Sequence, residues 1–415
     1  MDLDDHQSCE GQSPHQAGKT AERMTELAVY GGSFNPPHLG HCTVVETVLK
    51  ELQPDRLLII PASLPPHKEL ETGSPSPEER LELCRLAFGG FAGAEVSDLE
   101  ILRKGKSYTY ETVCQLQEMN PGARLTLVVG TDMFLSFEEW YRYEYLLSHC
   151  RLAVLARELD DCEALREEAE RFRSVYGADV TILPHTPFPM SSTEIRDRLP
   201  ERMGSDYLPE AVYAHIIRRR LYDAQPDLAW LREQAFGMLD ERRIAHVAGC
   251  ECEAIRLAGR WGEDPELAAE AGILHDITKR LSYEEQLNLY KKYDILTDNA
   301  ELAIPKLLHA KTGAAVAKDR FGASESVCSA IRWHTTGRPD MTLLEKIIYL
   351  ADYIEPTRDF PGVEALRSLA YEDLDRAMLL GLQMSVEEIR RGGTEPYRDT
   401  LEACAWFEER VKAGD

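Results

Sequence analysis

The spacing of apolar residues changes character once along this 415-residue chain, near Tyr222, and that change limits what the chain can fold into. Before it, short apolar runs are bounded by turn residues: LAVY (27–30), RLLIIP (56–61), AEVSDL (94–99), RLTLVVG (124–130), RLAVLA (151–156) and DVTIL (179–183). Between them lie stretches with helical periodicity, and strands alternating with amphipathic helices build a doubly wound parallel α/β sheet. After Tyr222 the strand signal stops. AQPD (224–227) reads as a short linker, and LAWLREQAFGMLDERRIAHVAGCECEAIRLAGRW (228–261) keeps only three- and four-residue spacing, which predicts an all-α bundle. The length agrees, because 415 residues exceed what one hydrophobic core usually serves. The expected organisation is a disordered polar tail over 1–25, an α/β domain over 26–222 and a helical domain over 223–415.

Charge narrows the partners. With 47 Lys and Arg against 72 Asp and Glu, the net charge of −25 argues against a general nucleic-acid or anionic-membrane binder. A polyphosphate ligand must then be small and locally neutralised by metal, Lys or Arg. No apolar run reaches the length of a membrane span, and the stretch to Thr25 lacks a signal-like apolar segment, so a soluble cytoplasmic protein is expected. Ten scattered cysteines without CxxC pairs fit reduced thiols. Cys250 and Cys252 sit two apart in a helical pattern and point to different faces.

Two constellations carry chemistry. In the first half, GGSFNPPHLGH (31–41) follows the first strand and leads into a helix, where an open α/β sheet places its ligand crevice. Its glycines let the backbone approach a phosphate, and His38 and His41 at the helix start can donate to phosphate oxygens. Further on, SSTEIR (191–196) offers the hydroxyls of Ser191, Ser192 and Thr193 at a helix N-terminus, with Arg196 on the same turn. In the second half, His246, His275, Asp276, His309, His334 and Asp352 each interrupt an apolar helical pattern. Imidazoles and carboxylates in that order can hold one or two transition-metal ions with a position open for water, the equipment of phosphate ester hydrolysis. Adjacent residues on a helix diverge by about 100°, so His275 and Asp276 are expected to share one ion only if it nests between them near the bundle axis.

The first constellation resembles the HxGH signature of the nucleotidyltransferase superfamily, and together with SSTEIR it resembles the HxGH plus (S/T)S(S/T)xIR arrangement of adenylyltransferases. The resemblance spans about Glu26 to Tyr222. It implies a Rossmann-like domain in which a phosphate attacks the α-phosphorus of ATP in line, without a protein nucleophile. Mg²⁺, His38, His41 and Arg196 would stabilise charge on the leaving pyrophosphate, with Gly32, Ser33, Phe34, Ser192 and Thr193 at the nucleotide. PPHK (65–68), SYTYET (107–112), GTDMFLSFEEWY (130–141) and Arg157 look like nicotinate mononucleotide adenylyltransferase. That likeness implies Lys68 and Arg157 at phosphate, Asp132 at a ribose, and Tyr108, Thr109 and Trp140 at the pyridine ring and its carboxylate. A flat indole suits stacking on a pyridinium. Thr131 stands where the family commonly has Ala, a departure expected to have no functional consequence. A different acceptor, such as phosphopantetheine or a cytidylyltransferase substrate, is the alternative that HxGH alone leaves open.

From about Asp227 onward the chain resembles the HD phosphohydrolase superfamily. HTTGRPD (334–340) and LEKIIYLADYIEPTRDFPGV (344–363) look like its YqeK-type branch, the symmetrical diadenosine tetraphosphate hydrolases. The resemblance implies a primary metal site of His246, His275, Asp276 and Asp352, an iron centre by analogy, with Mn or Co equally compatible with the spacing. His309 and His334 would hold a second ion or the scissile phosphate, Lys279, Arg243 and Arg358 would meet phosphate, and Thr335 with His334 would touch the leaving ADP. Arg398 is a further candidate to close the nucleotide pocket. The alternatives are hydrolysis of another nucleotide, or a non-catalytic nucleotide sensor regulating the transferase. Catalysis is favoured because no metal position is lost to an apolar residue. Oligomeric state is left open.

Overall fold

The computed structural model describes residues 24–66, 70–156 and 161–414. The tail expected to be disordered, Lys68 and Arg157 lie outside the described residues, apart from Met24 and Thr25 at the end of that tail.

Six strands form one parallel sheet: β1 (Glu26–Gly32), β2 (Arg56–Pro61), β3 (Ala94–Val96), β4 (Arg124–Gly130), β5 (Cys150–Leu155) and β6 (Val180–Leu183). Their order is β3-β2-β1-β4-β5-β6, the doubly wound arrangement whose direction of winding reverses between β1 and β4. Tyr30 pairs with Ile59 of β2 and Val128 of β4, and Gly32 and Gly130 end β1 and β4 at the carboxyl edge of the sheet. Along β1, Leu27 and Val29 face one apolar cluster and Ala28 the other. Both faces of the sheet are covered, which is why the strands read as near-continuous apolar runs. AEVSDL gives a strand only over Ala94–Val96, because Asp98 takes the N-cap of a helix over Leu99–Arg103. A short edge strand also limits unwanted pairing.

After β6 the chain is helical. The helix Glu210–Arg219 packs Val212, Tyr213, Ile216 and Ile217 against the sheet's first face. Helices from Leu228–Phe236 to Arg398–Gly414 enclose a third core built around Leu257, Leu274, Ile331, Ile348 and Leu382. AQPD is not a loose tether. Ala224 is buried in the sheet-side core, Asp227 caps the helix Leu228–Phe236, and Trp230 packs against both cores. Polar residues pin the same junction: Arg202 donates to Glu270 at 2.9 Å and to Glu266 at 3.0 Å, and Arg220 Nη2 lies 3.6 Å from Glu270. Glu270 is fully buried. Among the described residues no helix is long and apolar enough to cross a membrane.

Candidate active sites

The first site lies where β1 gives way to the helix Leu39–Glu51. His38 is that helix's N-cap, with extended backbone, and its Nδ1 accepts the Gly40 N–H at 3.1 Å. His41, three residues on, accepts the His38 N–H at its own Nδ1, also at 3.1 Å. These bonds make Nδ1 an acceptor in each ring, so in the neutral form the proton sits on Nε2. Capping the helix and presenting an N–H donor are therefore one arrangement. Gly40 is needed because a Cβ there would lie 2.7 Å from Phe188, whose ring stacks on His38 at 5.3 Å between centroids.

A cavity of about 540 Å³ opens at the carboxyl ends of β1, β4 and β5. It brings together most of the residues singled out in the first half: Gly32, Ser33, Phe34, His38, His41, Tyr108, Thr109, Asp132, Trp140, Ser192 and Thr193. Ser192 is tied to the HxGH loop through Pro36 O at 3.0 Å, and Trp140 stacks on Phe137 at 4.6 Å. Arg196 does not line this cavity. It is buried, donates Nη1 to Asn35 O at 2.7 Å, and sets Nε and Nη2 on the Glu71 carboxylate.

Two supporting residues were not foreseen. Arg80, fully buried, donates to Ser33 O, Ala62 O and Ser63 O, clamping the ends of β1 and β2 together. Glu100 accepts the Thr112 hydroxyl at 2.6 Å beneath the SYT segment, and burial raises its pKa. The available signal was a charged residue sharing a helix face with Leu83, Cys84 and Ala87 in the case of Arg80.

The second site is built from helix interiors and helix ends. His246 lies within Glu241–Trp261, His309 within Pro305–Phe321 and Asp352 within Leu343–Ile354. His275 and His334 are the C-caps of Pro265–Leu274 and Glu325–Trp333. His275 keeps right-handed helical backbone as the C-cap, Asp276 stands one residue on in the turn beyond it, and His275 Nε2 and Asp276 Oδ2 nevertheless come within 3.6 Å. The two oxygens of Asp276 face different imidazoles. Its Oδ2 is 3.7 Å from His246 Nε2 and 3.6 Å from His275 Nε2, while Oδ1 is 3.1 Å from His309 Nε2 and 3.6 Å from His334 Nε2. Asp352 Oδ1 completes the His246 side at 3.0 Å. One carboxylate thus lies between the four residues expected at a primary site and the two further histidines.

The donor set suits divalent ions. Nδ1 of His275 lies 2.7 Å from Gly272 O and Nδ1 of His334 2.6 Å from Ile331 O. Carbonyls only accept, so these nitrogens carry the protons and Nε2 offers a bare lone pair. The Nε2 atoms of His246 and His275 are 3.3 Å apart and those of His309 and His334 3.0 Å apart, among carboxylate oxygens. Acceptors facing acceptors at this range are satisfied by cations, and three triads of these side chains have ligand atoms within 4.8 Å. Burial pushes the imidazoles of His275 and His309 down to about 4. For His246 burial acts downward too, but Asp352 and Glu355 outweigh it and raise the pKa. Burial would raise Asp276, yet the neighbouring imidazoles and Lys279 hold it well below the usual carboxylate range. Around the rim, Arg243 donates to Asp276 at 3.0 Å, Arg358 to Asp352 at 2.6 Å, Lys279 Nζ sits 2.9 Å from His309 Nε2, and Thr335 Oγ1 is 3.1 Å from His334 Nε2. Arg398 is exposed and pairs with Asp298 and Asp399, with no contact to this cluster among its described partners.

Comparison with known proteins separates the two sites. The cytidylyltransferase-like family matches residues 29–198 and the HD domain family residues 243–357. A probable nicotinate-nucleotide adenylyltransferase of Carboxydothermus hydrogenoformans is 31% identical over 198 residues, 48% of this chain and 98% of the relative. The symmetrical bis(5'-nucleosyl)-tetraphosphatase of Bacillus subtilis is 38% identical over 184 residues, 43% of this chain and 95% of the relative. The crystal structure of a predicted HD superfamily hydrolase involved in NAD metabolism, from Clostridium acetobutylicum, is 37% identical and aligns over 45% of this chain and 100% of its own, with a TM-score of 0.44. The chain therefore belongs to two families at once, that of the nicotinate-nucleotide adenylyltransferases through its sheet-bearing half and that of the HD-domain symmetrical bis(5'-nucleosyl)-tetraphosphatases through its helical half.

Proposed function

We propose that this chain is a bifunctional enzyme, transferring adenylyl from ATP to nicotinate mononucleotide at the first site and hydrolysing diadenosine tetraphosphate to two ADP at the second. The observation that carries the reading is the presence on one chain of two sets of groups, a donor-lined cavity at the HxGH helix and a cluster of six imidazole and carboxylate side chains around Asp276. The division into residues 26–222 and 223–415 is our assignment of the two catalytic units.

In the transfer step an oxygen of the acceptor phosphate bonds to the α-phosphorus of ATP as the bond to the bridging oxygen breaks, and pyrophosphate leaves with that electron pair. His38 and His41 donate Nε2–H to oxygens that gain charge as it leaves, and Ser192 and Thr193 add hydroxyl donors. Arg196 joins them when a phosphate takes the place of Glu71. Mg²⁺ bound with the nucleotide would add charge screening. Tyr108, Thr109 and Trp140 shape the end of the cavity for the pyridine ring, and Asp132 holds a ribose.

In the hydrolytic step the oxygen of water bonds to a β-phosphorus and the bridging bond to the other half breaks, releasing ADP on each side. Divalent ions, for which we propose iron or manganese, would be held by His246, His275, His309, His334, Asp276 and Asp352 and would supply an acidified water and a screen for the polyphosphate. Arg243 and Arg358 orient the two ligand carboxylates. Lys279 and His334 grip the retained ADP half, with Thr335 beside them. We place both activities in the cytoplasm, in keeping with the free thiols of Cys42, Cys84, Cys250 and Cys328.

The test uses the full chain with two variants. Wild type should make nicotinate adenine dinucleotide and should convert diadenosine tetraphosphate to ADP alone. His41→Ala should lose roughly a hundredfold or more of transfer while keeping hydrolysis, and Asp276→Ala the reverse. Near-normal transfer by His41→Ala sinks the first assignment, and ATP plus AMP as products sinks the second.

A further inference from the structure

The LADYIEP segment supplies Asp352 to the cluster, but its second carboxylate, Glu355, has no part in the chemistry above. Glu355 is the C-cap of Leu343–Ile354 and is fully buried. Its Oε1 lies 3.1 Å from His246 Nδ1, across the ring from the nitrogen that faces Asp276 and Asp352. Both oxygens are used as acceptors: Oε2 takes the Thr357 N–H at 2.6 Å, and Oε1 takes the Thr357 hydroxyl. Gly249, three residues beyond His246, makes the room. A Cβ there would stand 2.6 Å from Glu355 Oε2.

The other three imidazoles are backed differently. His275 and His334 rest on the neutral carbonyls of Gly272 and Ile331, and His309 Nδ1 is buried with no hydrogen-bond partner among the described residues. A carboxylate behind an imidazole fixes its tautomer and raises its basicity more than a carbonyl does. Resting on the reading that this cluster holds divalent ions, we propose that Glu355 is a positioning residue for the metal centre, making His246 its strongest imidazole donor and the His246–Asp352 side its tight half. The His309–His334 side, with one imidazole unsupported and Lys279 at 2.9 Å, is the weak half. The two ions therefore differ in affinity, and the exchangeable one lies on the side where Lys279 can meet substrate phosphate.

Glutamine cannot replace Glu355, because its one accepting oxygen cannot serve both Thr357 N–H and His246. If the amide N–H₂ turns to His246, it demands a lone pair on Nδ1 and puts the proton on Nε2, where it blocks ligation. The experiment loads full-length wild type, Glu355→Gln and Glu355→Asp with Mn²⁺ and titrates each with a chelator. Retained metal is read by elemental analysis and by electron paramagnetic resonance, and adenylyl transfer reports that the chain is folded. Wild type should release its ions in two steps. Glu355→Gln should weaken the tighter step by roughly ten- to hundredfold and leave the weaker step in place, and Glu355→Asp should recover part of the loss. An unchanged tight step in Glu355→Gln, or loss of the weak step alone, overturns the proposal. A wild type that retains no Mn²⁺ at all overturns instead the reading of the cluster as a metal site. If Glu355→Gln also loses adenylyl transfer, the Glu355→Asp titration decides on its own, because it shortens the side chain without removing its charge.

Discussion

Replacing Arg202 by Met should loosen the junction between the two halves more than any single surface change. Arg202 is buried and makes three bonds, at 2.9 Å to Glu270, 3.0 Å to Glu266 and 3.0 Å to Pro226 O. Glu266 is largely exposed, so that pair is worth at most about 1 kcal/mol. The main loss is at Glu270, which is fully buried and would be left with Arg220 at 3.6 Å. Removing one partner of a buried pair costs about 3–5 kcal/mol, whereas replacing both by apolar residues is often near neutral. For a helical half of this size each kcal/mol shifts the melting temperature by about 2–4 °C, so Arg202→Met should lower it by roughly 6–20 °C. Glu270→Met in the same chain should restore much of that. Melting is followed by circular dichroism, with each activity assayed after heating to separate the halves. A drop under about 2 °C, or a double variant no more stable than Arg202→Met, would show that this buried pair does not hold the junction.

Two further outcomes follow from the sites. Glu71→Gln frees Arg196 from a half-exposed carboxylate, a pair worth up to about 1 kcal/mol, so the KM for ATP should fall by up to about fivefold with kcat unchanged; a higher KM would mean that Glu71 helps rather than competes. For the metal-free chain, burial holds His275 and His309 near 4 in the folded state, while an unfolded imidazole takes up its proton near 6.5, so between those values the unfolded chain binds more protons. Stability should therefore fall as pH drops from about 6.5 toward 4, measured by denaturant midpoints, and a midpoint flat across that window refutes the buried neutral form.

What could be read from the sequence depended on whether the signal was local. RLLIIP and RLTLVVG match β2 and β4 residue for residue, because strands buried on both faces announce themselves by composition alone. The six clustered side chains of the second site were equally legible as polar interruptions of apolar helical patterns. How Asp276 is shared was not, since it depends on how the helices that carry His246, His309 and His334 pack around it. Long-range pairs were also silent. Arg80 reaches Ser33 across 47 residues, Arg202 reaches Glu270 across 68 and His246 reaches Glu355 across 109. AQPD has the composition of a linker, but its burial is decided by what packs over it, and that is a property of the fold.

At their helix ends the two sites present histidine in opposite senses. A helix N-terminus has unpaired N–H groups and a C-terminus has unpaired carbonyls. His38 and His41 stand at an N-terminus, so their Nδ1 atoms accept main-chain N–H bonds and Nε2 is left as a proton donor. A donor at a positive helix end suits an anion such as phosphate. His275 and His334 stand at C-termini, where Nδ1–H donates to the carbonyl three residues back and Nε2 is left as a lone pair. A lone pair at a negative helix end suits a metal cation. In the proposed reading His38 and His41 would serve anion binding and His275 and His334 cation binding, with the tautomer of these four set by the backbone beside them. Residue type alone would not separate the two uses; at these four histidines the position relative to the helix end does, whereas His246 and His309 lie within helices.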